Sequence, residues 1–161
     1  MADDGLTVVW GHESWTLYVG THGSNRRGPI RHVVCGVPSC PQSHTDCTCR
    51  VAMEGRLADA FDAVYMYLAE AEGEETDALI CTFDGTQRAP ALVLAYIMRS
   101  GGRTLASAWH ALRARWRFPC PDRTLFKGLM DLELLLNDSQ KPSMDLDDWE
   151  LLKKEQGLFG G

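Results

Sequence analysis

The residues with the clearest chemical potential lie in the run Cys81-Thr82-Phe83-Asp84-Gly85-Thr86-Gln87-Arg88-Ala89-Pro90. An apolar stretch, Ala78 to Phe83, leads into it, and Ala91 to Met98, apolar on every side, follow it. A strand, a tight glycine-containing loop and a helix start make an anion site on general grounds: loop N–H groups converge and the helix N-terminus carries partial positive charge. Arg88 adds a guanidinium that stays charged and whose fork matches two phosphate oxygens. These residue types predict phosphate binding by Phe83, Asp84, Gly85, Thr86, Gln87 and Arg88. Taken alone, the pattern also accommodates Arg88 as a surface or capping residue. Asp84 would oppose a dianion if its carboxylate pointed inward.

A second cluster invites a metal reading. Cys35, Cys40, Cys47 and Cys49, with His44, fall close together. Structural zinc sites usually present Cys-x-x-Cys or Cys-x4-Cys knuckles. Here Cys47 and Cys49 are two apart in a strand-like run, and Cys35 sits within Val33-Val34-Cys35-Gly36-Val37, where cysteine acts as a small hydrophobe. The expectation is no metal, no cofactor and no disulfide framework.

The elements that must position the loop follow from periodicity. Strand-like runs occur at Thr7 to Trp10, Trp15 to Val19, Arg31 to Val37, Cys47 to Met53 and Ala78 to Phe83. Between the last two, Leu57, Phe61, Val64, Tyr65 and Leu68 have the spacing of one buried helical face, and Gly73 ends that helix. Pro90 fits only the first turn of the next helix, which Ser100-Gly101-Gly102 stops. A further helix starts after the N-cap Thr104 and buries Leu105, Ala108, Trp109, Leu112 and Trp116; another follows Asp122 with Leu125, Leu129, Leu132 and Leu136. This order predicts an α/β sandwich with a central sheet and helices on both faces. Residues 1–136 read as one domain. Residues 137–161 read as a tail: a linker, Asn137 to Ser143, then a short amphipathic helix over Asp145 to Lys154. Docking of that helix on the domain is expected, since Trp149 exposed alone would be an unfavourable patch.

The chain has 161 residues, of which 45% are hydrophobic and 24% charged, ordinary values for a globular protein. No apolar run approaches the roughly 18 residues a membrane helix needs. The acidic N-terminus, Met-Ala-Asp-Asp-Gly, lacks a secretion-signal pattern, which predicts a cytoplasmic location with the nucleus also open. A formal net charge of −6 disfavours nucleic acid and anionic membrane as partners. Arg103, Arg113, Arg115, Arg117 and Arg123 alternate with apolar residues and read as a solvated face.

The run from Cys81 to Pro90 resembles the signature His-Cys-x-x-Gly-x-x-Arg-Ser of the dual-specificity phosphatases, within the cysteine-phosphatase superfamily. Gly85 and Arg88 fix the register, which puts Thr82 at the family's nucleophile position and Cys81 at that of the preceding histidine. Leu17-Tyr18-Val19-Gly20, Ile30-Arg31-His32-Val33-Val34, Thr104-Leu105 with Ala108, Arg117-Phe118-Pro119, Leu125 and Leu129 are similar to further family positions in the same order. The resemblance spans residues 15–134. It implies the family's three-layer fold, with a central, mainly parallel five-stranded sheet, and a pocket for phosphotyrosine or phosphothreonine.

The departures bear on catalysis. In the family the cysteine attacks phosphorus as a thiolate, whose pKa a phosphate loop lowers from about 8.5. A threonine hydroxyl is far less acidic. Cys81, as the neighbour of residue 82 on a strand end, points to the other side and would need one more residue in the loop. The resemblance also implies an aspartate general acid upstream, yet Cys49 to Met53 contains no carboxylate. Glu54 and Asp46 are the nearest substitutes. The hydroxyl residue expected after the arginine is Ala89. Together these changes predict a pseudophosphatase that binds a phosphorylated protein or scaffolds kinase-pathway partners. A weak phosphatase using Cys81 or Thr82, and an interaction module with a vestigial pocket, remain alternatives.

Overall fold

The structure is a computed structural model that describes residues 7–12, 14–21, 32–35, 49–50, 57–82, 88–115, 121–138 and 141–160. Among the described residues five strands form one sheet: β1 (Thr7–His12), β2 (Trp15–Thr21), β3 (His32–Cys35), β4 (Cys49–Arg50) and β5 (Ala78–Thr82). Their spatial order is β1-β2-β5-β3-β4. β1 pairs antiparallel with β2, and β2 with β5, β5 with β3 and β3 with β4 are parallel. The last strand in sequence therefore occupies the centre. Its composition fits, because a central parallel strand is covered on both sides and reads as a continuous apolar run. Ala78, Leu79 and Ile80 are all fully buried.

The tight β1–β2 connection depends on Gly11. Its φ is +150°, and a side chain there would collide with the backbone carbonyl of Trp15. The pairing shifts register between Val8 and Trp10, a bulge-type irregularity that bends the edge strand.

Helix α1 (Leu57–Gly73) returns the chain from β4 to β5. It buries Phe61, Val64 and Leu68, as the periodicity predicts, and also Ala71. Helix α2 (Arg88–Gly101) has no solvent face over Pro90–Met98. Its C-terminus closes in a Schellman arrangement: Gly102 adopts the left-handed conformation with φ +61°, and Arg103 N–H donates to the Met98 carbonyl at 3.0 Å. α3 (Leu105–Arg113) and α4 (Arg123–Asn137) start on the caps expected for them. Thr104 Oγ1 accepts from Ser107 N–H at 3.1 Å, and Asp122 Oδ1 accepts from Leu125 N–H at 2.8 Å. The buried faces of these four helices join Trp15, Leu17, Val19, Ala78 and Ile80 in one core.

Boundaries differ from the sequence expectation in places. The described parts of β3 and β4 fall within the expected runs Arg31–Val37 and Cys47–Met53, whose other residues lie outside the described residues. Trp116, expected in the core, also lies outside them. Leu136 is half-buried and packs against the core. Helix α5 spans Leu146–Gly160, longer than Asp145 to Lys154.

Among the described residues, two contacts besides the Arg113–Glu155 ion pair and the packing of Leu146 and Leu152 hold the C-terminal segment. Trp149 is in the core cluster, and its indole Nε1–H donates to the Pro121 carbonyl at 3.0 Å. The second is a clasp around Glu133, which is only 2% exposed. Its Oε2 accepts from Leu105 N–H at 2.8 Å and from Ser143 Oγ–H at 2.6 Å, while Oε1 accepts from Ser143 N–H at 2.7 Å. Ser143 Oγ in turn accepts from Ala106 N–H at 2.9 Å. The clasp satisfies N–H groups that the first turn of α3 cannot bond internally, with a carboxylate at the positive end of the helix. Asp145 and Asp148 then start α5 by reciprocal side chain-to-backbone bonds of 2.9 Å.

Candidate functional site

The parallel strands β2, β5 and β3 deliver their C-terminal ends to one edge of the sheet. Thr21 pairs with Thr82, and Cys35 pairs with Cys81. In open parallel sheets ligands bind outside this edge, where the following loops and helix N-termini gather. β5 ends at Thr82 and α2 begins at Arg88, so the two residues that flank the sequence-predicted loop close a central strand and open a buried helix. Phe83, Asp84, Gly85, Thr86 and Gln87, which connect them, lie outside the described residues, as do Asp46 and Glu54.

Two features of the described backbone bear on the chemistry. The first turn of α2 contains no acidic residue, so its N–H groups face the edge without a carboxylate of their own helix to neutralise them. Pro90 stands in that turn, where its missing N–H costs no helical bond, and it is buried. The second feature is the phase of β5. By the two-residue period of a strand, position 82 is in step with Ala78 and Ile80, which belong to the core beneath α2, and position 81 is in step with Leu79.

The same period separates two members of the cysteine cluster. Val34 pairs with Cys49 and Cys35 with Arg50, so positions 35 and 49 fall on opposite sides of the sheet. Cys40, His44 and Cys47 lie outside the described residues, and among the described residues no group of three metal-ligating side chains occurs.

The arginine-rich segment divides between pairing and exposure. Arg113 forms an ion pair with Glu155 at 3.3 Å, Arg103 lies over the Trp10 ring and donates to Ser107 Oγ, and Arg115 and Arg123 are exposed. Arg117 lies outside the described residues.

Sequence reasoning missed a cleft of about 540 Å³ between α3 and α5. Trp109, Met144, Leu151 and Leu152 line it together with His110, Arg113, Asp148 and Glu155. The available signal was the pair of amphipathic helices, but their mutual placement is set by long-range contacts, among them the Glu133 clasp and the Arg113–Glu155 pair. Also missed was a polar pair at the far side of the core. Tyr96 Oη–H donates to Glu72 Oε1 at 2.6 Å, with the Tyr96 ring packed between Trp15 and Tyr65. Burial, the bond to the Glu72 carboxylate and the nearby negative charge together push the Tyr96 hydroxyl far above the ordinary tyrosine range.

No family model and no curated protein sequence matches the chain. Solved structures do. A mouse putative dual specificity phosphatase superposes with a TM-score of 0.70 at 17% identity, covering 85% of this chain and 91% of its own. Human DUSP28 superposes at 0.67 with 20% identity, over 82% and 95% of the two chains. DUSP15 superposes at 0.67 with 21% identity, over 94% and 97%. With its central β5, the buried α2 that follows and these superpositions over most of its length, the chain has the fold of the dual-specificity phosphatases.

Proposed function

We propose that this protein is a catalytically inactive member of the phosphatase fold, a pseudophosphatase that holds a phosphotyrosine- or phosphothreonine-bearing protein or scaffolds partners in a kinase pathway, in the cytoplasm or nucleus. The observation that carries the reading is Thr82 at the end of β5, directly before the loop that leads into α2. A nucleophile at this place must be largely ionised, and an alkoxide is out of reach where a thiolate is not. Support also comes from the sequence on either side: Ala89 stands where the fold's enzymes place a hydroxyl, and Cys49 to Met53 offers no acid. A mouse neighbour of the same fold was solved with zinc tungstate, and tungstate, like phosphate, is a tetrahedral oxyanion.

Turnover and binding test the two halves of the reading separately. Purified protein should leave a generic aryl phosphate uncleaved at the level of a buffer control; hydrolysis that disappears in Thr82→Ala would overturn inactivity. A phosphotyrosine peptide should bind, and Arg88→Ala should weaken it by at least about tenfold, the equivalent of losing one charge-assisted bidentate contact.

A second reading is favoured by the α3–α5 cleft. Its lining of Trp109, Leu151 and Leu152 beside charged groups suits a protein ligand and requires no phosphate. In that case no phosphopeptide binds the parent protein, and the interaction module works away from the β5–α2 edge.

A further inference from the structure

The hydroxyl of Ser143 bonds both to α4, through Glu133, and to the first turn of α3, through Ala106 N–H. Ser143 is nevertheless exposed, and it sits in a non-helical stretch between α4 and α5. The residues after it, Asp145, Asp147, Asp148 and Glu150, form an acidic run of the kind that a basic substrate cleft attracts. We propose that Ser143 is a phosphorylation site for an acid-directed serine kinase, and that its modification opens the clasp and releases α5 from the domain.

The chemistry balances with a nucleoside triphosphate as co-substrate. Ser143 Oγ forms a bond to the γ-phosphorus, the bridging β–γ bond breaks, the hydroxyl proton passes to the kinase's base, and the nucleoside diphosphate leaves. Oγ then has no proton, so the 2.6 Å donation to Glu133 is lost. A phosphate of about −1.5 to −2 charge now stands against a carboxylate that solvent barely reaches. Glu133 cannot swing away without stranding Leu105 N–H, which it also bonds. The exposed partner moves instead, and Ser143 is three residues from Leu146, the first residue of α5. Departure of α5 uncovers Trp149 and the α3 side of the cleft. The inference does not depend on what the β5–α2 loop binds.

The test installs phosphoserine at position 143 of the full chain and follows backbone amide exchange over residues 146–155. Exchange there should accelerate by at least about tenfold relative to unmodified protein, the effect of like-charge repulsion between the phosphate and the Glu133 carboxylate. The Glu133→Gln protein, which lacks the repelling charge, should show a clearly smaller acceleration on phosphorylation. In parallel, an acid-directed serine kinase with ATP should transfer one phosphoryl group, mapped by mass to Ser143, and Ser143→Ala should abolish that transfer. Unchanged protection of α5 in the phosphoserine protein, equal acceleration with and without the Glu133 charge, or absence of transfer to Ser143 would each overturn the proposal.

Discussion

Replacing Glu133 with alanine is the sharpest test of how the helical half of this molecule is held together. The substitution removes the acceptor of three hydrogen bonds. The donors are unequal. Leu105 is completely buried, so its N–H is left without a partner at a cost of about 1–3 kcal/mol. Ser143 is exposed, and both of its donors regain water with little net loss. Loss of negative charge at the α3 N-terminus adds about 0.3–1 kcal/mol. Relief of the carboxylate's desolvation works in the other direction. The expected net loss is about 2–3 kcal/mol, read as a fall in melting temperature of about 4–12 °C at the roughly 2–4 °C per kcal/mol of a chain this size. Glu133→Gln keeps an amide oxygen for Leu105 N–H and should lose less than half as much. Urea unfolding and calorimetry of the three proteins give the comparison. If Glu133→Ala lies within about 0.5 kcal/mol of the parent, as an ordinary surface change would, the clasp does not stabilise the fold as argued.

Trp149→Ala should destabilise the chain by about 3–5 kcal/mol, as expected for removing a buried indole, and Trp149→Phe by only about 1–2 kcal/mol, since it keeps a ring but loses the indole N–H bond to the Pro121 carbonyl. A Trp149→Phe protein as stable as the parent in urea unfolding would mean the hydrogen bond is immaterial. Tyr96 makes stability sensitive to alkali. Its hydroxyl titrates above the unfolded value near 10, so the unfolded chain releases the proton first, and stability present below about pH 10 falls as pH rises further. In Tyr96→Phe that part of the decline should vanish; an identical alkaline slope would refute the assignment. Gly11→Ala should cost well over 1 kcal/mol in thermal unfolding, because its φ and the Trp15 carbonyl both exclude a side chain.

Much of the framework was legible in the sequence because local chemistry dictated it. Pro90, Gly102, Thr104 and Asp122 mark helix ends by mechanisms that need no tertiary partner, and the structure places each at its element's boundary. The apolar run at Ala78 to Ile80 announced a strand covered on both sides, and this strand lies at the sheet's centre. The Glu133 clasp was illegible, since a glutamate between two leucines, Leu132 and Leu134, reads as the polar face of an amphipathic helix. Its burial depends on Leu105 and Ser143, which are 28 and 10 residues away in sequence. The cleft beside α5 was hidden for the same reason. At the candidate site, sequence spacing set the register of Thr82 and Arg88. The strand end and helix start supply the frame, while the intervening loop lies outside the described residues.

Helix α2 is enclosed on every side from Pro90 to Met98. The mount of the candidate loop is thus the hydrophobic core itself, and a change that loosened that mount would unfold the protein before it altered a ligand's affinity. The helix that follows β5 is therefore constrained by the stability of the fold itself, whatever the residues between β5 and α2 bind.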